Sequence, residues 1–190
     1  ICDLVEPELG IITSVGEMHL ETFGSIEGVA RTKFELIDAL PEGGFGVVNI
    51  DSEAAAKHLK TVNRKVATYG IDNSAADYRA VDIAYSSQET KFYLDKGNDD
   101  RALFTTHILG RGNILNILAA LAIADKMGVS LEAQRRAVRQ IEQIEHRLSI
   151  KRTTGGITII DDAYNSNPAG AKMALEVLRD FHRAEGGRRI

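Results

Sequence analysis

Cysteine is nearly absent from this sequence. Cys2 is the single thiol among 190 residues, so no disulfide can close within the chain, and a reducing compartment is expected. No apolar run approaches the roughly 18 residues that a membrane-spanning helix needs. The opening Ile1-Cys2-Asp3-Leu4-Val5-Glu6 has neither the basic nor the apolar stretch of a secretion signal. Basic residues are not in surplus either. The 23 Lys and Arg stand against 27 Asp and Glu, a net charge of −4 that offers no electrostatic footprint for nucleic acid. A cytoplasmic location is the expectation these absences leave. Neither GxxxxGK[ST] nor a GxGxxG after a strand occurs, and Gly110-Arg111-Gly112 fails both spacings. What is present is core material: 44% of residues are hydrophobic, enough for a sizeable folded interior.

The pattern along the chain is α/β. Residues 9–15 (LGIITSV) form a short apolar, β-branched run that reads as a buried strand. Ser25 suits the cap of a helix to about residue 39, with Ile26, Val29, Ala30, Phe34, Ile37 and Leu40 at helical spacing. A second buried strand follows at 45–50, a helix capped by Asp51 or Ser52 runs to about 59, and 65–70 reads as a third strand. That alternation is the mark of a parallel sheet with flanking helices. Between 78 and 109 three alternating runs, 78–85, 90–94 and 102–109, read as an antiparallel segment. Residues 113–127 form a nearly all-apolar helix with Gly128 as its C-cap, and Ser130 caps a more polar helix to about 144. The pattern then breaks, and a domain boundary is expected near His146, dividing 1–146 from 147–190. The second unit opens with strands 148–152 and 157–160, then a helix that starts at Pro168. The start at Ile1 and the stop at Ile190, where an apolar segment begins, suggest an internal fragment with only part of its catalytic apparatus.

Two loops carry candidate chemistry. His19 follows the first strand, at the carboxyl end where α/β folds place ligands, with Glu17 and Glu21 beside it. It is a metal ligand or an ordinary surface histidine. Lys33 lies mid-helix with its stem bordering the apolar face, which fits a functional amine or a snorkelling side chain equally. The loop Asp161-Asp162-Ala163-Tyr164-Asn165-Ser166-Asn167 precedes Pro168, and its density of acids, amides and a phenol exceeds what solubility requires. Asn113 is explained by capping, whereas Asn116, one turn in among apolar neighbours, asks for a partner. Arg147 could meet a phosphate or pair with Glu145. His58, His107, His146 and His182 show no mutual metal spacing and read as structural or surface residues.

Taken together and in this order, residues 11–23, Val29-Ala30-Arg31-Thr32-Lys33, Asn113-Ile114-Leu115-Asn116 ahead of Ala119-Ala120, His146-Arg147-Leu148 and Asp161 through Pro168 resemble the Mur ligase family. Within it they are most similar to the branch that joins D-alanyl-D-alanine to UDP-N-acetylmuramoyl-tripeptide. The resemblance implies most of a central ATP-binding domain, lacking its phosphate-loop part, followed by the start of a Rossmann-like C-terminal domain. It implies a cytoplasmic, monomeric ATP-dependent ligase of peptidoglycan precursors, serving cell-wall biogenesis, cell shape and division, that works through an acyl phosphate. The fragment alone is expected to be inactive.

By the same resemblance, His19 and Lys33 would be catalytic and would hold Mg2+, Lys33 as a carbamate. Asn113 and Asn116 would face adenine, and Arg147, Asp162, Tyr164 and Asn165 would reach the phosphate and ribose of ATP. Many relatives have histidine where this chain has Gly112, which removes that side chain's contact with adenine. The alternatives are a third-residue-adding or folylpolyglutamate synthetase-like amide ligase, and a non-catalytic nucleotide-binding or interaction module.

Overall fold

The computed structural model describes residues 1–16, 20–86, 89–97, 101–164, 168–185 and 188. After a single turn, α1 (Cys2–Val5), the chain enters β1 (Leu9–Ile12), a short helix α2 (Leu20–Phe23) and α3 (Ile26–Asp38). The Ser25 hydroxyl accepts the Gly28 amide at 3.0 Å and so caps α3. Strand β2 (Phe45–Asn49), helix α4 (Glu53–Leu59) and strand β3 (Val66–Gly70) follow. β1, β2 and β3 pair in parallel, as the strand–helix alternation predicts.

Strands β4 (Tyr78–Tyr85), β5 (Thr90–Asp95) and β6 (Arg101–Thr106) complete one six-stranded sheet in sequential order. β4–β5 and β5–β6 are antiparallel, but β4 joins β3 in parallel, which alternation of side chains alone does not reveal. Only Tyr69↔Tyr78 and Gly70↔Arg79 are in register, so β4 starts where β3 ends and the antiparallel segment projects past the carboxyl edge of β1–β3. At the outer edge, Arg135 Nε donates to the Leu103 carbonyl of β6 at 3.1 Å.

Apolar layers pack on the two faces of the sheet over different strands, and the second face of β5 and β6 stays exposed at Tyr93 and Leu103. On one face α5 (Arg111–Lys126) lies against β2, β3 and β4, burying Ile114, Ile117, Leu118, Leu121 and Ala122 over Val47, Tyr69, Phe92 and Phe104. On the other, α3 and α4 bury Val29, Phe34, Ile37 and Ala55 against Ile12 and Val48. β1 is therefore only half buried. It is an edge strand beyond the reach of α5, and Leu9 and Ile11 are exposed where a fully buried strand was expected.

α6 (Leu131–Arg139) is capped by Ser130 but ends short of residue 144. The Gln143 side chain donates to the His107 carbonyl at 3.1 Å and accepts from the Ile150 amide at 2.9 Å, tying this stretch to the strands instead of extending the helix. Strands β7 (Ser149–Arg152) and β8 (Thr158–Asp161) then form a separate antiparallel pair, and α7 (Pro168–Glu185) follows. Leu148, Ile150 and Ile160 pack with Val177 and Phe181 of α7 against Leu109, which seats this second unit on the turn before α5. Among the described residues, no helix is long and apolar enough to cross a membrane.

Candidate functional site

At the carboxyl edge of β1–β3 the loops that follow the strands are held together by polar side chains. Asn49 Nδ2 donates to the Thr13 carbonyl at 2.8 Å, and its Oδ1 accepts the Asp51 amide at 2.9 Å. The Ser52 hydroxyl accepts the Val15 amide at 3.1 Å and donates to the Val15 carbonyl at 3.2 Å. The Asp51 carboxylate accepts the amides of Ile71, Asp72 and Asn73 at 2.6, 3.1 and 2.9 Å. Gly70 permits that approach, since a Cβ there would lie 2.6 Å from Asp51 Oδ1. Tyr69 is wholly buried beside this cluster, and burial together with the Asp51 charge pushes its phenol far above the ordinary range. Asn49, Asp51 and Ser52 drew no functional reading from the sequence. Their work depends on neighbours 20 to 37 residues away, and no local spacing records it.

Lys33 points to this same edge. Its Nζ donates to the Ser14 carbonyl at 2.7 Å, at the end of β1, and the side chain is solvent-exposed. His19, expected beside it, lies outside the described residues, as does Asn165. Among the described residues no cluster of three His, Cys, Asp or Glu side chains could hold a metal. An unmodified lysine is itself a cation and does not ligate Mg2+. The Lys33 position suits that ion only as a carbamate, whose anionic oxygens would stand with the Ser14 carbonyl as hard donors.

The second wall is the start of α5. The helix begins at Arg111, so Asn113 is not its cap: the Asn113 side-chain Nδ2 donates back to the Leu109 carbonyl at 2.7 Å. Asn116 is exposed and not enclosed by apolar neighbours, because its position faces away from the sheet. Arg111 forms an ion pair with Asp72, closing the gap between α5 and the end of β3.

The third wall comes from the second unit. Leu148 sits so close to Gly110 that a Cβ on that glycine, whose φ is +91°, would lie 2.6 Å from Leu148 Cδ1. Met173 of α7 covers Gly112, its Sδ 3.6 Å from where a Cβ would stand. Asp162 Oδ1 accepts the Leu148 amide at 3.2 Å, and the Arg147 guanidinium lies 4.1 Å above the Tyr164 ring. Arg147 does not pair with Glu145 and has no ion-pair partner among the described residues. Of the residues singled out in the sequence, Lys33 is thus placed on the strand edge, Asn113 at the helix start, and Arg147, Asp162 and Tyr164 together on the facing unit.

Comparison with known proteins agrees with this architecture. The family model for the Mur ligase middle domain matches residues 1–124. The chain is 32% identical over 178 residues to the UDP-N-acetylmuramoyl-tripeptide--D-alanyl-D-alanine ligase of Bacillus subtilis (strain 168), covering 94% of this chain and 37% of that protein. It is 31% identical over 180 residues to the UDP-N-acetylmuramate--L-alanine ligase of Anaeromyxobacter sp. (strain Fw109-5), covering 94% and 39%. The chain therefore spans less than two fifths of the length of these relatives. In three dimensions it is similar to MurF from Acinetobacter baumannii, with a TM-score of 0.77 at 26% identity over 93% of this chain and 38% of that one. MurF ligase from Thermotoga maritima in complex with ADP shares the fold, with a TM-score of 0.80 at 24% identity over 95% and 41%.

Proposed function

We propose, for a chain that belongs to the Mur ligase family, that it supplies the nucleotide-handling part of an ATP-dependent ligase joining D-alanyl-D-alanine to UDP-N-acetylmuramoyl-tripeptide. The observation that carries this reading is the Gly110 seam. The close approach of Leu148 there brings Arg147, Asp162 and Tyr164 of the second unit to the same end of α5 as Asn113. Ligand sites form preferentially where two such units meet.

In this reading the tripeptide carboxylate attacks the γ-phosphorus of ATP and ADP leaves. The amine of D-alanyl-D-alanine then attacks the acyl carbon, and inorganic phosphate departs as the amide forms. Asn113 and Asn116 address adenine, Asp162 the ribose, and Arg147 the phosphates. The Tyr164 ring under the Arg147 guanidinium holds that charge without neutralising it, leaving it available to an anion. Lys33 as a carbamate, with His19, would hold Mg2+, which when bound offsets the repulsion between phosphoryl group and carboxylate. The scaffold from Asn49 to Asp51 keeps the strand ends from shifting as the two anions approach.

The test is ligation by the full-length gene product with two substrate pairs. ADP release is expected with UDP-N-acetylmuramoyl-tripeptide plus D-alanyl-D-alanine and not with UDP-N-acetylmuramate plus L-alanine, and the reverse preference would move the chain to the other branch. Lys33→Ala is expected to lower kcat by about a hundredfold or more, the scale of losing a group that organises charge in the transition state. Added bicarbonate should raise the activity of the parent protein and leave the variant unchanged. Normal turnover of the variant would remove the lysine role.

A further inference from the structure

The three residues that carry Arg147 have an unusual backbone. His146 and Leu148 both lie in the left-handed region, with φ of +61° and +53°, and neither is glycine. Such conformations persist where surrounding contacts over-determine them. Beside the Arg147 amide's bond to the Ile144 carbonyl, the approach of His146 Nε2 to Glu145 at 3.7 Å and the packing of Leu148 on Leu109 and Val177, the polar contacts of this turn run to one loop. His146 Nδ1 lies 2.9 Å from Asp161 Oδ2, the His146 carbonyl accepts the Tyr164 amide at 3.2 Å, and the Leu148 amide reaches Asp162. Asp161 itself is heavily used, its side chain only 13% exposed. Oδ2 also receives Lys151 Nζ at 2.8 Å, and Oδ1 accepts the Ala163 amide at 3.2 Å, folding the loop back on itself.

We propose that His146 and Asp161 form a clasp that sets how Arg147, Asp162 and Tyr164 are presented to the nucleotide, acting as positioning residues. The inference rests on the reading that Arg147 and Asp162 hold that nucleotide. The clasp is separable from the strands beneath it. Pairing of β7 with β8 from Ser149↔Asp161 to Arg152↔Thr158 uses main-chain groups, and Lys151 still pairs with Asp161 when the imidazole is removed. Losing the imidazole therefore removes the His146–Asp161 tie between the 146–148 turn and the 161–164 loop, leaves the Tyr164 and Leu148 main-chain donors to hold them together, and leaves the arm folded. Both the Nδ1–H tautomer and the imidazolium supply the needed donor.

Substitutions at His146 separate the donor from the backbone. His146→Asn keeps a side-chain donor near the Nδ1 position and tolerates positive φ; His146→Gly tolerates the backbone but drops the donor. ADP affinity is measured by calorimetry on the full-length protein, with ATP KM and kcat alongside and thermal melting as the control. His146→Gly is expected to weaken ADP and raise the ATP KM by about tenfold with kcat nearly unchanged, and His146→Asn to recover most of the loss. Should His146→Gly melt early, His146→Asp, which also tolerates positive φ and repels Asp161, is expected to show the same weakening. Parent-like ADP affinity in a folded His146→Gly or His146→Asp protein, with Arg147→Ala weakened, overturns the clasp and leaves the nucleotide reading standing. Parent-like affinity in both Arg147→Ala and Asp162→Ala overturns the nucleotide reading itself.

Discussion

The six-stranded sheet and the β7–β8 arm are held by different means. The sheet carries a dense core, with Val47, Val48, Phe34, Phe92 and Leu118 essentially without solvent contact, although β5 and β6 leave Tyr93 and Leu103 exposed on their second face, and the loops at the carboxyl edge of β1–β3 are tied together by carboxylate, amide and hydroxyl groups. The arm is far less covered: of its eight strand residues four are exposed and only Ser149 is buried, and Ile157 and Ile159 flank or occupy its outer face exposed. A two-stranded pair has little stability of its own. This one depends on the seam where Leu148, Ile150 and Ile160 meet Val177, Phe181 and Leu109. One region is a densely packed platform, and the other is a lightly held arm whose polar groups are set by loop contacts.

The contrast is open to direct tests. Phe34, with no exposed surface and its ring 4.6 Å from that of His58, should cost about 3–5 kcal/mol when replaced by alanine, read from urea unfolding. The matched change Ile159→Ala in the arm should stay within about 0.5 kcal/mol. A large loss at Ile159 would show that the arm has a second packed face. Next in size, Asp51→Ala strips three main-chain amides of their acceptor and should cost about 1–3 kcal/mol, with hydrogen exchange rising at Ile71, Asp72 and Asn73 and unchanged at Ile150.

The smallest effect concerns acid. Asp125, in the platform, is held below the usual carboxylate range by hydrogen bonds from Lys96 and Tyr78, and Asp161, in the arm, chiefly by Lys151 and then by His146. A carboxylate with a lowered folded-state pKa contributes stability that is present above the unfolded value of about 3.9 and is lost as pH falls through the folded one. The stability gap between parent and Asp125→Asn, and likewise Asp161→Asn, should be constant at neutral pH and shrink below about pH 4. A gap that widened in acid would reverse the sign assigned to these pairs.

Much of the platform was legible because its signals are local. The capping hydroxyls of Ser25 and Ser130, the apolar run of α5 and the positive φ of Gly128 all sit where spacing places them. What escaped the sequence is long-range. The parallel joint between β3 and β4 depends on where the loop lands the chain, α6 is cut short by the side chain of Gln143, and Asn116 faces outward although its neighbours in sequence are apolar. In the site, Lys33 and the 161–164 loop stood out by residue type. The stacking of Arg147 on Tyr164 and the contact of Asp161 with His146 join residues 15 to 17 positions apart, beyond the reach of local spacing.

The guanidinium of Arg135 on the Leu103 carbonyl bears on how the molecule behaves in a crowded solution. β6 ends the sheet, and a bare final strand is a template on which another chain's backbone can add. An incoming strand must first displace a charged donor from Leu103 and then lie beside Arg101 and Arg135, so self-templating growth from this side meets both a steric and an electrostatic barrier. One side chain borrowed from the neighbouring helix thereby acts as a stopper against polymerisation.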